Sequence, residues 1–404
     1  MKIFAYAAAG LLGSLSTGQA LAQSSFLSES VIDSATYADW RARQQADSQI
    51  AASAEADPTV PEIEPAPAGD GATPGTESQG QASDAEPPKV QVPGEPDMAV
   101  ATPDNTTDIP DEAALQTLDD PDAPDPFLIR LQVLLDRADA SPGVIDGYLG
   151  ENTRKAVRAY EAMRDLPVDG EIDSNLWNIL VVDEGSAMTT YRITEEDVSG
   201  QYVTTIPDDY AELAEMDWLG FHGPAEMLAE KFHMDEELLK ALNPQADFSR
   251  AGEEILVTEI GAPASIKVTR ITVDRGRGAL TAYDEEGAIV LSAPATIGSE
   301  DNPSPSGTVT VKGVAPDPTY SYDPEQNFTQ GDNTQELTIP PGPNGPVGSV
   351  WIDLSKPTYG IHGTAHPALI DKTVSHGCVR LTNWDAEALA GLVRPGETQV
   401  EFVQ

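Results

Sequence analysis

Hydrophobic positions along this chain change period twice. From Phe127 the spacing is helical, with Leu128, Leu131, Val133, Leu134 and Leu135 on one stripe. A loop follows, Ser141-Pro142-Gly143-Val144-Ile145-Asp146-Gly147-Tyr148-Leu149-Gly150, and then a second helical stripe of Ala156, Val157, Tyr160 and Met163, for which Asn152 or Thr153 is the expected cap. A second turn, Leu166-Pro167-Val168-Asp169-Gly170, leads to a third helix carrying Leu176, Trp177 and Leu180. The two turns echo each other in Val144-Ile145-Asp146-Gly147 and Val168-Asp169-Gly170. Between 190 and 260 the pattern predicts a short strand at Tyr191-Arg192-Ile193 and a helix on Ala225, Met227, Leu228, Ala229 and Phe232. A helix capped by Asp235 follows, and a last strand spans Glu254 to Thr258. From Ser265 the period shortens to that of strands: Ile266, Val268, Ile271 and Val273, then Leu280 to Tyr283, Ile289 to Leu291, and Val309 with Val311. One late helix is expected after Thr382, with Asp385 closing its first turn. The fold class is therefore multidomain: a small all-α domain at 127–182, an α/β module at 190–260, and a mainly β domain at 264–404.

Before Phe127 the pattern fades. From Gln44 to about Pro126 there is no Phe, Tyr or Trp, and Lys89 is the sole basic residue. Pro, Ala, Asp and Glu dominate, so the segment cannot bury enough apolar surface to offset the entropy of ordering. Residues 23–126 are accordingly expected to be a disordered acidic linker, with a local helix possible over Phe26 to Arg43. At the start, Met1-Lys2, the apolar run Ile3 to Leu15 and Ala20-Leu21-Ala22 match a signal peptide over 1–22, which implies export to the periplasm or cell wall. No later segment approaches the ~20 apolar residues of a membrane span. The net charge of −44 argues against a nucleic-acid partner.

The chain has one cysteine, Cys378, in Ser375-His376-Gly377-Cys378-Val379-Arg380-Leu381. A lone cysteine cannot form an intramolecular disulfide. His376 lies two residues before it, and His362 lies upstream in Tyr359-Gly360-Ile361-His362-Gly363-Thr364. A thiol flanked by imidazoles suits nucleophilic catalysis, because a neighbouring imidazole generates the reactive thiolate. Cys378 is then the nucleophile and His362 the base. The amides around Gly377 are candidates for an oxyanion site, and Ser375 and His376 for orienting the loop. A four-ligand metal set, His362, His366, His376 and Cys378, is an alternative use of the same side chains, though His362 and His366 fall on a Pro-broken loop. His222 and His233 read as surface or packing histidines.

Several motifs carry a family resemblance. Pro294-Ala295-Thr296-Ile297-Gly298, Pro303-Ser304-Pro305-Ser306-Gly307, Tyr359 to Thr364 and Ser375 to Leu381 together resemble the L,D-transpeptidase (YkuD) catalytic domain, over about Ile266 to Phe402. The doubled Asp-Gly turn and the Trp after it resemble a type 1 peptidoglycan-binding domain. The 190–260 segment is similar to a LysM carbohydrate-binding module, with Glu195 to Gly220 as an insertion which that family lacks.

The first resemblance implies a cysteine acyltransferase with no cofactor. It would act on a peptidoglycan stem tetrapeptide and its glycan, releasing D-Ala and leaving a thioester on Cys378, and carbapenem β-lactams would be covalent inhibitors. It also implies substrate contacts at Tyr359, Gly363, Thr364 and Arg380, or a bracing role for Arg380. Water as acceptor would make the protein an L,D-carboxypeptidase. A papain-like or NlpC/P60-like hydrolase would place cysteine before histidine, the reverse of the order here, and a non-catalytic wall-binding protein would leave the thiol idle.

Overall fold

The computed structural model describes residues 27–55, 123–182, 185–298, 304–325, 330–373, 375 and 377–403. The expected signal peptide, most of the expected linker and His376 lie outside these residues.

Two helices, α1 (Glu29–Ser34) and α2 (Tyr37–Glu55), occupy the first part of the segment expected to be disordered. The local helix expected over Phe26 to Arg43 is present, split in two, because this stretch, unlike the Pro/Ala/acid run after it, has apolar side chains to bury. Ile32 and Trp40 are buried, and the Trp40 ring stacks on Phe127 with centroids 5.1 Å apart. Arg43 also pairs with Asp125 at 2.9 Å. The helix continues well past Arg43 through Gln44, Gln45 and several alanines, all good helix formers.

Helices α3 (Pro126–Arg137), α4 (Glu151–Met163) and α5 (Ser174–Leu180) complete the all-α domain around Leu131, Leu135, Val157 and Leu176. Asp125 caps α3, accepting from the Phe127 and Leu128 N–H groups, with Pro126 in the first turn, where a missing N–H costs nothing. The expected cap of α4 is corrected: Gly150 stands there without a side-chain bond. Thr153 Oγ1 instead accepts from Gln132 at 3.1 Å, and Asn152 Nδ2 donates to the Ile370 carbonyl at 3.1 Å.

The echoed turns have a shared physical basis. Gln132 Oε1 accepts the N–H of Asp146 and Gly147 at 3.1 and 2.8 Å, and Glu161 Oε2 accepts those of Asp169 and Gly170 at 3.0 and 2.9 Å. Each turn is thus pinned by one buried polar side chain, with glycine at φ 79° and 77°.

Next come β1 (Met188–Arg192), the short helices α6 (Glu195–Val198) and α7 (Tyr210–Leu213), then α8 (Pro224–Lys231), α9 (Glu236–Leu242) and β2 (Glu254–Thr258). β1 and β2 pair antiparallel from Met188↔Thr258 to Arg192↔Glu254. The first strand therefore begins before the Tyr191 expected from sequence. Asp235 caps α9 as expected. The insertion around α7 leaves this module: Leu213 and Leu219 pack with Tyr322 and Ile339 of the following domain.

That domain is built on β3 (Arg270–Asp274), β4 (Ala279–Tyr283), β5 (Ile289–Pro294), β6 (Gly307–Pro316), β7 (Tyr320–Tyr322), β8 (Leu337–Ile339), β9 (Val350–Leu354), β10 (Gly360–His362), β11 (Val379–Arg380), α10 (Asn383–Leu392) and β12 (Gln399–Val403). β7 and β8 form a separate hairpin, and the others make one eight-stranded sheet, ordered β11-β10-β9-β6-β12-β3-β4-β5. Alternate residues of these strands (Ile271, Val273, Leu280, Val311, Ile352, Val400) face a core closed by Leu389 and Leu392 of α10. Thr382 caps α10: its Oγ1 accepts from the Asp385 N–H at 3.1 Å and donates to Asp385 Oδ2 at 2.7 Å. Among the described residues no helix is long and apolar enough to cross a membrane.

Candidate active site

The two strands at one end of the sheet bring the candidate chemistry together. β10 and β11 run parallel, pairing Ile361 with Val379 and His362 with Arg380. His362 therefore ends one strand while Cys378 precedes the next. Gly360 is required by packing: a Cβ there would lie 2.3 Å from the Trp351 ring. That ring, on β9, stacks on the His362 imidazole at 5.5 Å and 18°.

His362 is buried, and its Nδ1 lies 2.7 Å from the Gly363 carbonyl. A carbonyl can only accept, so Nδ1 carries the proton and Nε2 holds the lone pair. Burial, then the positive Arg380, push the imidazole down to about 4, against the pull of the Gly363 and Val347 backbones. Burial likewise pushes the Cys378 thiol up, opposed by the Gly360 backbone and by Arg380. Near pH 7 the thiol and the imidazole are thus both neutral in the resting protein.

The Cys378 loop is held from several sides. Gly377 has φ 111°, a conformation that L side chains rarely adopt. Its carbonyl accepts from Ser304 Oγ at 2.7 Å, and Ser304 Oγ accepts from Gly298 N–H at 3.0 Å. Ser375 Oγ donates to the Cys378 carbonyl at 2.6 Å and accepts the Gly377 N–H at 3.2 Å. The Gly377 amide, expected to aim at an oxyanion, is therefore committed to Ser375 in the resting loop. Cys378 Sγ lies 3.7 Å from the Thr358 carbonyl, and Thr358 itself has φ 70°.

The other residues singled out in the sequence sit around this centre. Tyr359 follows Thr358 and carries Lys356 Nζ 4.3 Å over its ring. Gly363 and Thr364 are buried against Asn383: a Cβ on Gly363 would meet Asn383 Oδ1 at 2.1 Å, and Thr364 N–H donates to that oxygen at 3.1 Å. Arg380 exchanges main-chain bonds of 2.9 Å with Thr296, and burial lowers its pKa, opposed by Tyr210 and Cys378. His366 heads a 3-10 turn at Pro367–Leu369. Among the described residues no group of three or more His, Cys, Asp or Glu side chains is placed to hold a metal ion.

Sequence reasoning gave no role to Trp351 or Ser304 and missed the wall formed by Tyr210, Tyr320 and Tyr322. The Tyr210 ring meets those of Tyr320 and Tyr322 edge-on, at 6.0 and 5.1 Å. Ser304 could have been found from its Pro-Ser-Pro-Ser-Gly motif. Tyr210 carried no local signal.

A family model described as the L,D-transpeptidase catalytic domain matches residues 268–402, and one described as a peptidoglycan binding domain matches 125–180. A Bacillus licheniformis protein provisionally named L,D-transpeptidase YkuD is 31% identical over 179 residues, covering 44% of this chain and 92% of that protein. An Escherichia coli K12 protein provisionally named L,D-transpeptidase ErfK/SrfK is 25% identical over 234 residues, 56% of this chain and 71% of its own length. Among solved structures, L,D-transpeptidase 3 of Mycobacterium tuberculosis, in complex with a faropenem-derived adduct, aligns at 17% identity with a TM-score of 0.28, covering 37% of this chain and 66% of that one.

Proposed function

The chain belongs to the YkuD family of L,D-transpeptidases and carries a peptidoglycan-binding domain, and we propose that it remodels peptidoglycan through a thioester on Cys378. The observation that carries this reading is the His362 tautomer. With Nδ1–H committed to Gly363, Nε2 is free to take the thiol proton as sulfur attacks, so a neutral resting pair can react without a prior ion pair.

The attacked bond joins the third residue of a stem tetrapeptide to its terminal D-Ala. Sulfur adds to the carbonyl carbon while the thiol proton moves to His362. The tetrahedral oxyanion collapses, the C–N bond breaks, and the D-Ala nitrogen takes the proton from the imidazolium. An amine from a neighbouring stem then attacks the thioester and gives its proton to His362. The Cys378 thiolate leaves and is reprotonated. The Cys378 N–H is the remaining described donor of the expected oxyanion set, and Ser375 holds the loop that presents it.

Domains that act on and bind peptidoglycan imply a cell-wall location. Export by residues 1–22, glycan binding by the 190–260 module and acylation by carbapenems belong to the same proposal. Intact-mass analysis with a defined disaccharide tetrapeptide tests it. The wild type should gain the disaccharide-tripeptide acyl mass with loss of D-Ala, and Cys378→Ala should gain none. Product masses then separate an amine acceptor from water. Turnover by Cys378→Ala would overturn the reading.

A further inference from the structure

We infer that Glu230, which lies outside the catalytic domain, is a positioning residue for His362, acting through Asn383 on the Gly363–Thr364 backbone. The inference rests on the proposed role of His362 as base. Glu230 sits on α8 of the 190–260 module and is 8% exposed, although it is a carboxylic acid. Its Oε2 accepts from Asn383 Nδ2 at 2.9 Å, across the seam between module and catalytic domain. The second Nδ2 hydrogen of Asn383 goes to the Pro343 carbonyl at 3.2 Å, and Oδ1 accepts from Ser349 N–H and Thr364 N–H, both at 3.1 Å. All four hydrogen-bonding positions of the amide are thus used.

Which end of that amide faces His362 matters. Oδ1 must face the backbone, because Ser349 and Thr364 offer N–H groups there. The NH₂ group must then find acceptors, and Glu230 is one of the two. Without it a buried donor is left unpaired, a costly arrangement that an amide flip or a shift of α10 relieves. Either movement releases Thr364 N–H. Gly363 and Gly348 lie so close to Asn383 Oδ1 that an added Cβ would meet it at 2.1 and 2.2 Å, so the backbone there follows the amide. The Gly363 carbonyl is the acceptor that keeps the His362 proton on Nδ1. The path from Glu230 therefore ends on the tautomer that leaves Nε2 free.

The same seam supplies its own control. Glu226, one turn earlier on α8, accepts from Asn344 Nδ2 at 2.9 Å and does not touch Asn383. Breaking that contact loosens the junction beside the path, removing a charge that faces Glu230 while leaving all four bonds of the Asn383 amide in place.

The test uses the full chain with Glu230→Leu, Glu230→Gln and Glu226→Leu, and reads two quantities. One is the His362 tautomer, from two-bond proton–nitrogen correlations assigned with His362→Gln. The other is the rate at which imipenem acylates Cys378, by intact mass. Glu230→Leu should lose the pure Nδ1–H pattern and acylate roughly 10- to 100-fold more slowly, in line with the cost of small misplacements of reacting groups. Glu230→Gln keeps an acceptor and should restore both, and Glu226→Leu should change neither. Melting temperature checks folding, and Glu230→Ala replaces the Leu variant with the same expectations should Leu prevent it.

A wild-type tautomer in slow Glu230→Leu would overturn the inference, as would a Gln variant as impaired as Leu or an equal effect of Glu226→Leu. If the wild type never acylates, the thioester reading fails, and the nitrogen correlations still decide the role of Glu230.

Discussion

The two modules that precede the catalytic domain in sequence dock on it in different ways and reach opposite sides of the candidate active site. The all-α domain docks largely through main chain and one ion pair. Ser141 N–H donates to the Ser292 carbonyl at 2.8 Å, Ser292 N–H donates to Asp139 at 2.9 Å, and Lys155 on α4 pairs with Asp371. Asp371 N–H in turn donates to Thr296 Oγ1 at 2.8 Å, and Thr296 bridges to Arg380, so this contact leads into the Cys378 loop. The 190–260 module adds side chains to its main-chain contacts. Leu219 N–H donates to the Pro341 carbonyl at 2.9 Å, and the Leu219 carbonyl accepts from Asn344 N–H at 3.0 Å. Glu226 and Glu230 are set against Asn344 and Asn383, and the Glu230 contact leads to the loop after His362. The Cys378 loop and the loop after His362 are thus steadied by different modules. Both modules thus form part of the scaffold around the candidate active site, and one of them is the domain matched as peptidoglycan-binding.

The comparison is broken most severely where the two supports converge. Replacing His362 with Ala should lower turnover by about 10²–10⁴-fold, the usual contribution of a positioned general base. Because the resting thiol is neutral and pushed up by burial, alkylation of free Cys378 by iodoacetamide should be slow at pH 7 in the wild type and should rise only in the alkaline range. A wild-type alkylation profile that plateaus below pH 7 would show a preformed thiolate and refute the neutral pair.

A smaller effect should separate the two supports. Lys155→Met removes the cation that pairs with Asp371 and also donates to the Gly278 carbonyl at 3.1 Å. Loss of a charge-assisted bond of this kind costs about 1.5–3 kcal/mol of stability. Acylation by imipenem should slow through misplacement of the Cys378 loop, while the nitrogen correlations of His362 stay as in wild type. A changed tautomer in Lys155→Met would mean that the two supports are not independent.

How much of this was legible depends on sequence distance. The candidate nucleophile, the candidate base and the glycines beside them lie in two short runs, so they could be singled out from residue type and order. The three-helix domain was readable because each Asp-Gly turn is a local device, although the partners that pin it, Gln132 and Glu161, are not adjacent to it. Helices α1 and α2 were only half legible: Ile32 and Trp40 advertise burial, but the surface that receives them begins at Phe127. Glu230 and Asn383 are 153 residues apart, and no period or spacing links them. Tyr210 is similar. It lies in an insertion that reads as surplus to its own module, and its partners Tyr320 and Tyr322 belong to a hairpin of the next domain. Contacts between modules leave no trace in local pattern, and here they surround the site.

The smallest expected effect is on stability against pH, and it distinguishes the two junctions by where each acts. Each holds a buried carboxyl. Glu230, facing Asn383, Glu226 and Glu387, is pushed by burial up to about 8. Asp385, facing Thr382, Ser141, Asp136 and His233, is pushed by burial up to about 7. Both are protonated in the folded chain over a range where the unfolded chain ionises them. Their stabilising contribution is therefore complete below the ordinary carboxyl range. It declines up to about pH 7 for Asp385 and up to about pH 8 for Glu230. His362, depressed to about 4, has the opposite sign, but its window closes at its ordinary value of 6.5. His233 is lowered by burial but raised on balance by Asp136, Asp385 and Glu387 together, and adds a decline above 6.5. The melting temperature should then fall between pH 6.5 and 8. Glu230→Gln should flatten the fall between 7 and 8, and Asp385→Asn should flatten only the part below 7. An unchanged slope above pH 7 in Glu230→Gln would mean that this carboxyl is already ionised in the folded protein, and that the base-side junction is held by a charge rather than by a buried acid.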